Sequence, residues 1–307
     1  MDATSSRGTV QESLNHYGNH IAANGRLEVI DCIKCGYAHL FPLPTQTDVD
    51  TYYQQDEFYR THGPPDWFAK ERREHQAGLW RPAYDFQMQL LGNKPRVVDY
   101  GCGTGWFIQH YRAQHGLASG VEPAPSARAA SPVEQYIYSS MNMLYISGVV
   151  PGRSTESARA VLVLEHVLDP ITEVLALKKT ALGPRGRLLI VVPNERNPLQ
   201  KLVQRREGTA WWVQKPHINY FDRHSIRRLL QACELKVVYQ GGTFPMELLY
   251  LVGFKYIGND AIGRKAHNWR LAFEHRLGPR AFSLYHMLYN VLGWGRETLI
   301  VGQRHAI

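Results

Sequence analysis

Apolar and polar positions along this chain repeat with two periods, one typical of buried strands and one typical of amphipathic helices. Short aliphatic and β-branched runs predict seven strands, at Arg96–Tyr100, Leu117–Glu122, Gln135–Ser139, Ala160–Leu164, Arg187–Val192, Leu235–Gln240 and Thr298–Gly302. Helical stretches lie between most of them, at Trp106–His115, Ser126–Ala130, Pro170–Leu182 and Arg223–Cys233. Strands that alternate with helices indicate an α/β fold, with a parallel sheet covered by helices on both faces.

The last of these helices shows the pattern most clearly. Its apolar residues share one stripe, formed by Ile226, Leu229, Leu230 and Cys233. Arg227 and Arg228 fall largely away from that stripe, and Asp222 precedes the helix as its predicted N-cap. We therefore expect this helix to pack on the sheet.

Two segments do not fit the alternation and predict a domain organisation. The first contains a Cys-x-x-Cys turn, the proline-containing HLFPLPT and a tyrosine-rich stretch, and the second is aromatic-rich and helical. The sequence predicts an N-terminal substrate-side element, a sheet core, a helical cap inserted before the last strand, and that final strand, over residues 1–75, 76–242, 243–296 and 297–307. The cap could also supply a homodimer surface, and its interleaved basic residues would suit an anionic acceptor.

Composition narrows the class of protein. The 307 residues are 44% hydrophobic and 20% charged, as in an ordinary soluble protein. The net charge of +8 is scattered along the chain, which argues against a nucleic-acid partner. No apolar run has the length of a signal peptide or of a membrane span, and the four cysteines do not form a disulfide pattern. We expect a cytoplasmic protein without membrane association.

A glycine-rich turn follows the first predicted strand of the core. The strand ends at Asp99, and the turn continues as Gly101-x-Gly103-x-Gly105 before a helix that begins near Trp106. Glycines let the backbone turn sharply and approach a ligand closely, and the helix directs its N-terminal N–H groups toward that ligand. The turn therefore predicts a nucleotide-like cofactor that carries a negative charge or a carboxylate.

An acidic residue at the end of the second strand supports that prediction. Glu122, in the segment GVEP, lies about 20 residues beyond the glycine turn, where a carboxylate accepts hydrogen bonds from ribose hydroxyls. Taken together, VVDYGCGTGWF, GVEPAPSARA, VLEHVLDP and GRLLIVVPN resemble the class I S-adenosylmethionine-dependent methyltransferases. The closer likeness is to the small-molecule branch, which includes ubiquinone-biosynthesis, sugar and natural-product enzymes. It spans roughly residues 90–240, with ETLIVGQRH as the final strand.

The resemblance implies a Rossmann-like sheet of seven strands, S-adenosylmethionine as cofactor and a set of residues around it. That set is Asp99, Gly101, Cys102, Gly103, Gly105, Glu122 and Pro123. Relatives often place an acidic residue near the adenine after the third strand, whereas this chain reads YIYSSMNMLYIS, which leaves Asn142 at that position. The phenylalanine–aspartate pair that relatives carry before the fourth strand is also replaced, by ESARAVLVLEH.

Candidate catalytic residues follow the fourth strand and precede the last core helix. Ligands of open α/β sheets lie beyond the carboxyl ends of the strands, which is where Glu165 and His166 fall. His217 lies in the predicted loop WWVQKPHINYFD. A histidine that titrates near neutrality can remove a proton from the nucleophile. Some relatives hold a divalent metal with Glu-x-x-Glu-His, but Leu162 occupies the first of those positions here.

Three further residues are predicted to face the substrate. Trp212 and Tyr220 flank His217 and would form pocket walls, and Asn194 ends the fifth strand on the same side of the sheet. As an alternative to a substrate contact, Asn194 would cap a turn.

The N-terminal turn Cys32-Ile-Lys-Cys35-Gly is of the kind that zinc sites use. Two thiolates supply half of a tetrahedral shell, and His16, His20 and His39 are the nearby candidates for the other half. A structural zinc ion and a zinc-free turn both remain open, and redox chemistry is disfavoured.

The sequence thus predicts an enzyme that moves a methyl group from S-adenosylmethionine to a small hydroxylated metabolite, most readily to oxygen. The alternatives are an RNA or protein methyltransferase and a catalytically inactive binding protein with the same fold.

Overall fold

Two sheets organise the chain in the computed structural model, which describes residues 16–61, 66–92, 96–147 and 156–305. The strands are β1 (Gly18–Asn24), β2 (Leu27–Cys32), β3 (Ala38–Phe41), β4 (Arg96–Tyr100), β5 (Leu117–Val121), β6 (Ile137–Tyr138), β7 (Ser157–Val161), β8 (Arg187–Pro193), β9 (Asn219–Tyr220), β10 (Lys236–Gly242) and β11 (Glu297–Gln303). The helices are α1 (Gln46–Gln54), α2 (Glu57–Thr61), α3 (Trp67–Gln76), α4 (Arg81–Leu91), α5 (Trp106–His115), α6 (Pro125–Ala129), α7 (Met141–Ile146), α8 (Pro170–Ala181), α9 (Pro198–Glu207), α10 (Arg223–Ala232), α11 (Met246–Leu251), α12 (Asp260–His275) and α13 (Pro279–Leu292).

The larger sheet contains the seven strands that the sequence predicts. Their order is β10-β11-β8-β7-β4-β5-β6. Neighbours from β8 to β6 are parallel, and β11 runs antiparallel to both β8 and β10. The order reverses beside β4, so the carboxyl ends of β4 and β7 border the crevice in which such sheets bind ligands. The predicted fold class is confirmed.

One strand boundary was misplaced by the sequence pattern. The apolar run Ala160–Leu164 predicts the fourth core strand, but β7 spans Ser157–Val161. The strand ends early because Leu162 adopts a left-handed backbone with φ of 56°. The prediction missed the first three residues of the strand because Ser157, Ala158 and Arg159 carry no β-branched or large aliphatic side chain.

Successive residues of the core strands point to opposite faces and bury two separate layers of side chains. On one face, Val98 and Ile190 pack with residues of α7, α8 and α10. On the other, Val97 and Leu189 pack with residues of α4, α5 and α13. The predicted stripe of α10 is buried, and Asp222 caps that helix through the N–H groups of His224 and Ser225.

The N-terminal element is a four-stranded sheet in the order β1-β2-β3-β9. Its fourth strand, β9, comes from a segment between β8 and α10, so the sheet combines two distant parts of the chain. The predicted division at residue 75 falls inside α3. The first 15 residues, on which the absence of a signal peptide was partly judged, lie outside the described residues.

The insertion before β11 forms α11, α12 and α13, as predicted for a helical cap. A small cluster of Phe244, Leu249 and Ala266 holds its base together. The outer side of α13 leaves Leu284 and Val291 largely exposed, at 67% and 71%. A homodimer through this side stays a prediction. Within the described part of the chain, no helix is both long and apolar enough to cross a membrane.

Candidate active site

The glycine turn lies between β4 and α5, and its glycines differ in what surrounds the position of the missing side chain. Gly101, Gly103 and Gly105 all have left-handed backbones, with φ of 68°, 55° and 75°. A Cβ on Gly105 would lie 2.7 Å from Ile137 Cδ1, so that glycine serves internal packing. At Gly103, among the residues that the structure describes, a Cβ would meet only the Tyr59 hydroxyl, at 3.6 Å. Gly103 is therefore the position at which the missing side chain leaves room for a ligand.

Glu122 lies directly beside this turn, where the sequence places it. Its Oε2 accepts a hydrogen bond from the Gly103 N–H at 2.9 Å, and its Oε1 accepts one from the Ala124 N–H at 3.0 Å. Arg128 donates to the carbonyls of Glu122 and Pro123, which fixes the loop from its other side. Two bonds use only half of the lone pairs of a carboxylate, so Glu122 can still accept from ribose hydroxyls.

Asp99 is completely buried beneath the turn and is paired with a residue that the sequence did not single out. Arg159, in the neighbouring strand β7, donates from one Nη1 to both carboxylate oxygens of Asp99, at 2.6 and 2.7 Å. Its Nε donates to Gln87, and its guanidinium lies over the Phe107 ring. Direct contact between Asp99 and a cofactor stays a prediction, because Arg159 already engages both of its oxygens.

A cavity of about 450 Å³ opens where β4, β7 and β8 end. The glycine turn borders it through Gly101, Cys102 and Gly103. The opposite wall carries Glu165, His166, Pro193, Glu195, Trp212 and His217. One cavity thus joins the glycine turn to the predicted catalytic residues.

Glu165, His166 and His217 converge in that wall, as the sequence predicts. His217 Nδ1 lies 2.9 Å from Glu195 Oε1, and its ring centre is 5.0 Å from that of His166. His166 Nε2 lies 3.7 Å from Glu165 Oε1, while its Nδ1 is 3.3 Å from the Pro216 carbonyl. Both carboxyl oxygens of Glu165 are buried and lack a hydrogen-bond partner within the described part of the chain.

The environment of this cluster shifts two pKa values upward. Burial raises the pKa of Glu165 to about 8, and Glu195 and Glu297 add to the shift although His217 opposes it. Burial by itself would lower the pKa of His217, but the Glu195 carboxylate, which is hydrogen-bonded to the ring, outweighs it, so the pKa of His217 is raised. At neutral pH, Glu165 is therefore largely a neutral carboxylic acid that can donate a hydrogen bond.

The backbone holds His217 close to Glu165. The Glu165 carbonyl accepts from the N–H groups of Ile218 and Asn219, at 2.6 and 3.0 Å. The Asn219 side-chain amide donates to the Leu164 and Val167 carbonyls, at 2.9 and 2.6 Å. The His217 loop is thus tied to the end of β7 on both sides of Glu165.

The three predicted substrate residues differ in position. Trp212 lines the cavity and donates from its indole N–H to Gln204, at 2.9 Å. Tyr220 is fully buried in the core of the N-terminal sheet, and its hydroxyl donates to the His217 carbonyl. Asn194 is buried and donates to the Gly295 carbonyl, which ties β8 to the start of β11. The structure therefore corrects both interpretations: Tyr220 and Asn194 position neighbouring backbone, and neither is a pocket wall.

Asn142, predicted near the adenine, lies in the first turn of α7 and is exposed. Ser140 caps that helix by accepting from the Met143 N–H. Contact between Asn142 and a cofactor stays a prediction.

A second cavity, of about 530 Å³, lies under the cap and shares walls with the first. Aromatic rings dominate it, among them Trp80, Phe86, Phe282 and Tyr285. Each Lys or Arg side chain in its lining is paired with a carboxylate, in the pairs Lys70–Glu74, Arg159–Asp99, Arg270–Glu274 and Arg296–Glu247. The basic residues of the cap therefore do not create the anion-binding chamber that the sequence suggested.

The Cys-x-x-Cys turn lies in the N-terminal sheet, apart from both cavities. Cys32 and Cys35 are free thiols, and they converge with His16 and His39. His20, the third histidine candidate, is exposed on β1.

Sequence reasoning missed Glu195 and Arg159. Glu195 is the second residue after the end of β8, next to Asn194, so its position at the carboxyl end of a parallel strand was a signal that could have found it. The sequence did not indicate a role for Arg159, because a charged residue inside a short strand is predicted to be exposed to solvent. Its role depends on Asp99, which is 60 residues away along the chain.

The core matches a known protein family by sequence. A family model described as a methyltransferase domain matches residues 72–240, more than half of the chain. The chain is similar to an S-adenosylmethionine-dependent methyltransferase from Archaeoglobus fulgidus, with 16% identity over 82% of this chain and 100% of that one, at a TM-score of 0.49. It is also similar to geranyl diphosphate C-methyltransferase from Streptomyces coelicolor, with 17% identity over 85% and 98% of the two chains, at a TM-score of 0.47. No curated protein sequence matches the chain.

Proposed function

Because the chain belongs to the methyltransferase domain family, we propose that it uses S-adenosylmethionine to methylate a hydroxyl oxygen of a small metabolite. The observation that carries the proposal is the shared cavity, which places His217 and Glu165 opposite the glycine turn. The glycine turn and the proposed base, His217, thus face one space, as methyl transfer requires.

The residues around the turn fit the cofactor. Gly103 leaves open space at the ligand side, and α5 directs its N-terminal N–H groups and its positive dipole end toward the turn, where a carboxylate is stabilised. Glu122 keeps lone pairs for two ribose hydroxyls. When bound, S-adenosylmethionine would supply a sulfonium methyl group: the new C–O bond would form as the C–S bond breaks in line, and the electron pair would leave with the sulfur of S-adenosylhomocysteine.

His217 accepts the proton of the acceptor hydroxyl in this proposal. Its Nδ1 faces the Glu195 carboxylate, which accepts a hydrogen bond and so keeps the proton on that nitrogen. Nε2 then carries the lone pair that acts as the base. Glu195 is a positioning residue, because it acts on the substrate only through the imidazole.

Glu165 orients the acceptor. Its buried carboxyl lines the same cavity, and among the residues that the structure describes neither oxygen has a partner. As a neutral acid it offers one hydrogen-bond donor and one hydrogen-bond acceptor. These match a second hydroxyl group of the methyl acceptor, next to the hydroxyl that is methylated. This pairing supports an acceptor with neighbouring hydroxyl groups.

The cavity under the cap supports an uncharged, ring-bearing acceptor. Its aromatic walls suit an apolar body, and its cations are already paired. His286 is 2% exposed in that wall, and burial lowers its pKa to about 3, so its ring is neutral. Neither ring nitrogen has a hydrogen-bond partner in the described ranges, so His286 can donate to or accept from a polar group of the acceptor.

Calorimetry followed by transfer assays tests the proposal. Purified protein is titrated with S-adenosylmethionine and with S-adenosylhomocysteine, and then incubated with methyl-labelled cofactor and separate pools of phenolic metabolites, sugars, RNA and protein. We expect binding of both cofactor forms and label on a hydroxylated metabolite. Failure to bind either form would overturn the proposal. Label on RNA or protein only, or binding without transfer to any pool, would establish one of the two alternatives.

A chelation control examines the Glu165–His217 wall itself. We expect that Mg²⁺ added after EDTA treatment does not raise the transfer rate, since His217 acts as a base. A rate lost on chelation and restored by Mg²⁺ would show that these side chains serve a cation and would overturn the assigned proton transfer.

A further inference from the structure

We infer that His16, Cys32, Cys35 and His39 form a tetrahedral zinc site that holds the His217 loop in place through the N-terminal sheet. The four residues come from separate positions: His16 precedes β1, Cys32 ends β2, Cys35 lies in the following turn and His39 lies in β3. Their ligand atoms all lie within 4.8 Å of one another.

The distances within the cluster match a zinc shell. A tetrahedron with Zn–N bonds near 2.0–2.1 Å and Zn–S bonds near 2.3 Å has ligand atoms about 3.3 to 3.8 Å apart. The His16 Nδ1 atom lies 3.1 Å from His39 Nε2, 3.4 Å from Cys35 Sγ and 3.7 Å from Cys32 Sγ. Two thiols and two imidazoles at these separations are the donor set that zinc prefers.

The tautomer of His39 also suits a metal. Its Nδ1 lies 2.7 Å from the Leu40 carbonyl oxygen, which can only accept, so Nδ1 carries the proton. Nε2 is then the atom with the lone pair, and it faces the cluster. An outer N–H bonded to a backbone carbonyl is the usual support of a zinc-bound histidine. His39 is 1% exposed and Cys32 is 2% exposed, so solvent is largely kept from this half of the shell.

The turn between the thiols holds them on one side. The Gly36 N–H donates to the Cys32 carbonyl at 3.0 Å, and the Cys32 N–H donates to the Tyr37 carbonyl at 3.3 Å. Gly36 itself has a φ of 74°, which lets the chain reverse directly after Cys35. The geometry is thus set by the backbone as well as by the side chains.

The cluster is connected to the candidate active site by one strand pairing. His39 is in register with Asn219 across β3 and β9, and the Leu40 N–H donates to the Ile218 carbonyl at 2.8 Å. Asn219 and Ile218 are the residues that bind the backbone around Glu165. A metal that fixes β3 therefore fixes the strand that immediately follows His217.

Metal analysis tests the site independently of any activity. We expect about one zinc ion per chain in full-length protein purified without chelator, and under about a tenth of that in the His16→Ala and Cys35→Ser variants. His20→Ala is the matched control, since His20 lies on the same sheet but is exposed, and it should keep its zinc. Wild-type protein that takes up no zinc after incubation with ZnSO₄, or equal loss in His20→Ala and His16→Ala, would overturn the proposal.

A ligand exchange keeps the test valid if the alanine and serine variants do not fold. His16→Cys preserves a four-donor shell with a third thiolate and should retain zinc. Loaded with Co²⁺ in place of zinc, the wild type should show the visible bands of a tetrahedral site, and His16→Cys should show a stronger thiolate charge-transfer band. Identical spectra for the two proteins would exclude His16 from the shell.

Hydrogen exchange tests the link to the loop. After removal of zinc with a chelator, amide exchange in residues 216–221 should accelerate by about tenfold or more, whereas exchange in residues 101–106 and the affinity for S-adenosylhomocysteine should not change. Unchanged exchange in residues 216–221 in the metal-free chain would overturn the positioning role. Failure of the methyl transfer proposal would leave the metal content, the Co²⁺ spectra and the exchange rates unaffected.

Discussion

On the cofactor side of the cavity, a single segment from Asp99 to Ala124 supplies the glycine turn and the carboxylate that packs against it, largely through backbone N–H groups. On the acceptor side, Glu165, Glu195 and His217 come from three separate loops and meet only in the folded chain. The first side is thus specified by local sequence, whereas the second depends on long-range packing. Mutations on the cofactor side should therefore lower the affinity for the cofactor, and mutations on the acceptor side should lower the transfer rate, each without the other.

His217→Ala should show the largest difference between the loss of transfer rate and the loss of cofactor affinity. Removing the proposed base should lower kcat by about 10²- to 10⁴-fold, while the affinity for S-adenosylhomocysteine stays within about threefold. Single-turnover kinetics with the acceptor found in the pool assay, together with calorimetry, measures both. Equal losses of kcat and of cofactor affinity would show that the two sides are not independent.

The next largest effect should be a loss of stability when the Asp99–Arg159 pair, which lies beneath the glycine turn, is broken. Asp99→Ala leaves Arg159 buried without its carboxylate and should lower the free energy of unfolding by about 3–5 kcal/mol. Urea unfolding checks this value. The double variant Asp99→Leu/Arg159→Met, which removes both charges, should recover much of the loss. If the double variant is no more stable than Asp99→Ala, the pair is not the reason for the loss.

Cofactor affinity should respond to the carboxylate at the end of β5. Glu122→Ala should weaken binding of S-adenosylhomocysteine by about ten- to hundredfold, because it removes the carboxylate that accepts hydrogen bonds from the ribose hydroxyls. Glu234→Ala, at an exposed glutamate far along the chain, is the control and should bind normally. Normal binding by Glu122→Ala would remove the basis for placing the ribose at this position.

The chamber under the cap should affect the acceptor alone. His286→Phe preserves the ring but removes both nitrogens, and should raise KM for the acceptor by about tenfold with cofactor affinity unchanged. Steady-state kinetics with the acceptor varied at saturating cofactor measures the change. An unchanged KM would mean that the acceptor does not reach the space beneath α13.

The smallest effect should be a shift in pH dependence. The neutral form of His217 is the base, and its pKa is raised, so the rate should fall as pH drops through a value above the ordinary 6.5. Glu195→Gln removes the carboxylate that favours the imidazolium, so this limb of the kcat profile should move to lower pH. An unmoved limb would show that Glu195 does not set the titration of His217.

Much of the fold was readable from sequence because its signals are local. The seven strands and the main helices follow from periodicity, and the Asp222 cap lies next to the groups that it satisfies. The start of β7 was misjudged because its first three residues carry no β-branched or large aliphatic side chain. Tyr220 and Asn194 were assigned to the pocket because adjacency in sequence cannot reveal which way a side chain faces.

By itself, the sequence determined the sheet, the glycine turn and the position of Glu122, because each depends on backbone geometry within a few residues or on a fixed strand-to-strand repeat. Only the tertiary structure decided that Glu195 pairs with His217, that Arg159 pairs with Asp99, and that His16 and His39, and not His20, converge with the two cysteines. The two ion pairs join residues that are 22 and 60 positions apart along the chain, and their selection depends on burial, which makes an unpaired charge or lone pair costly.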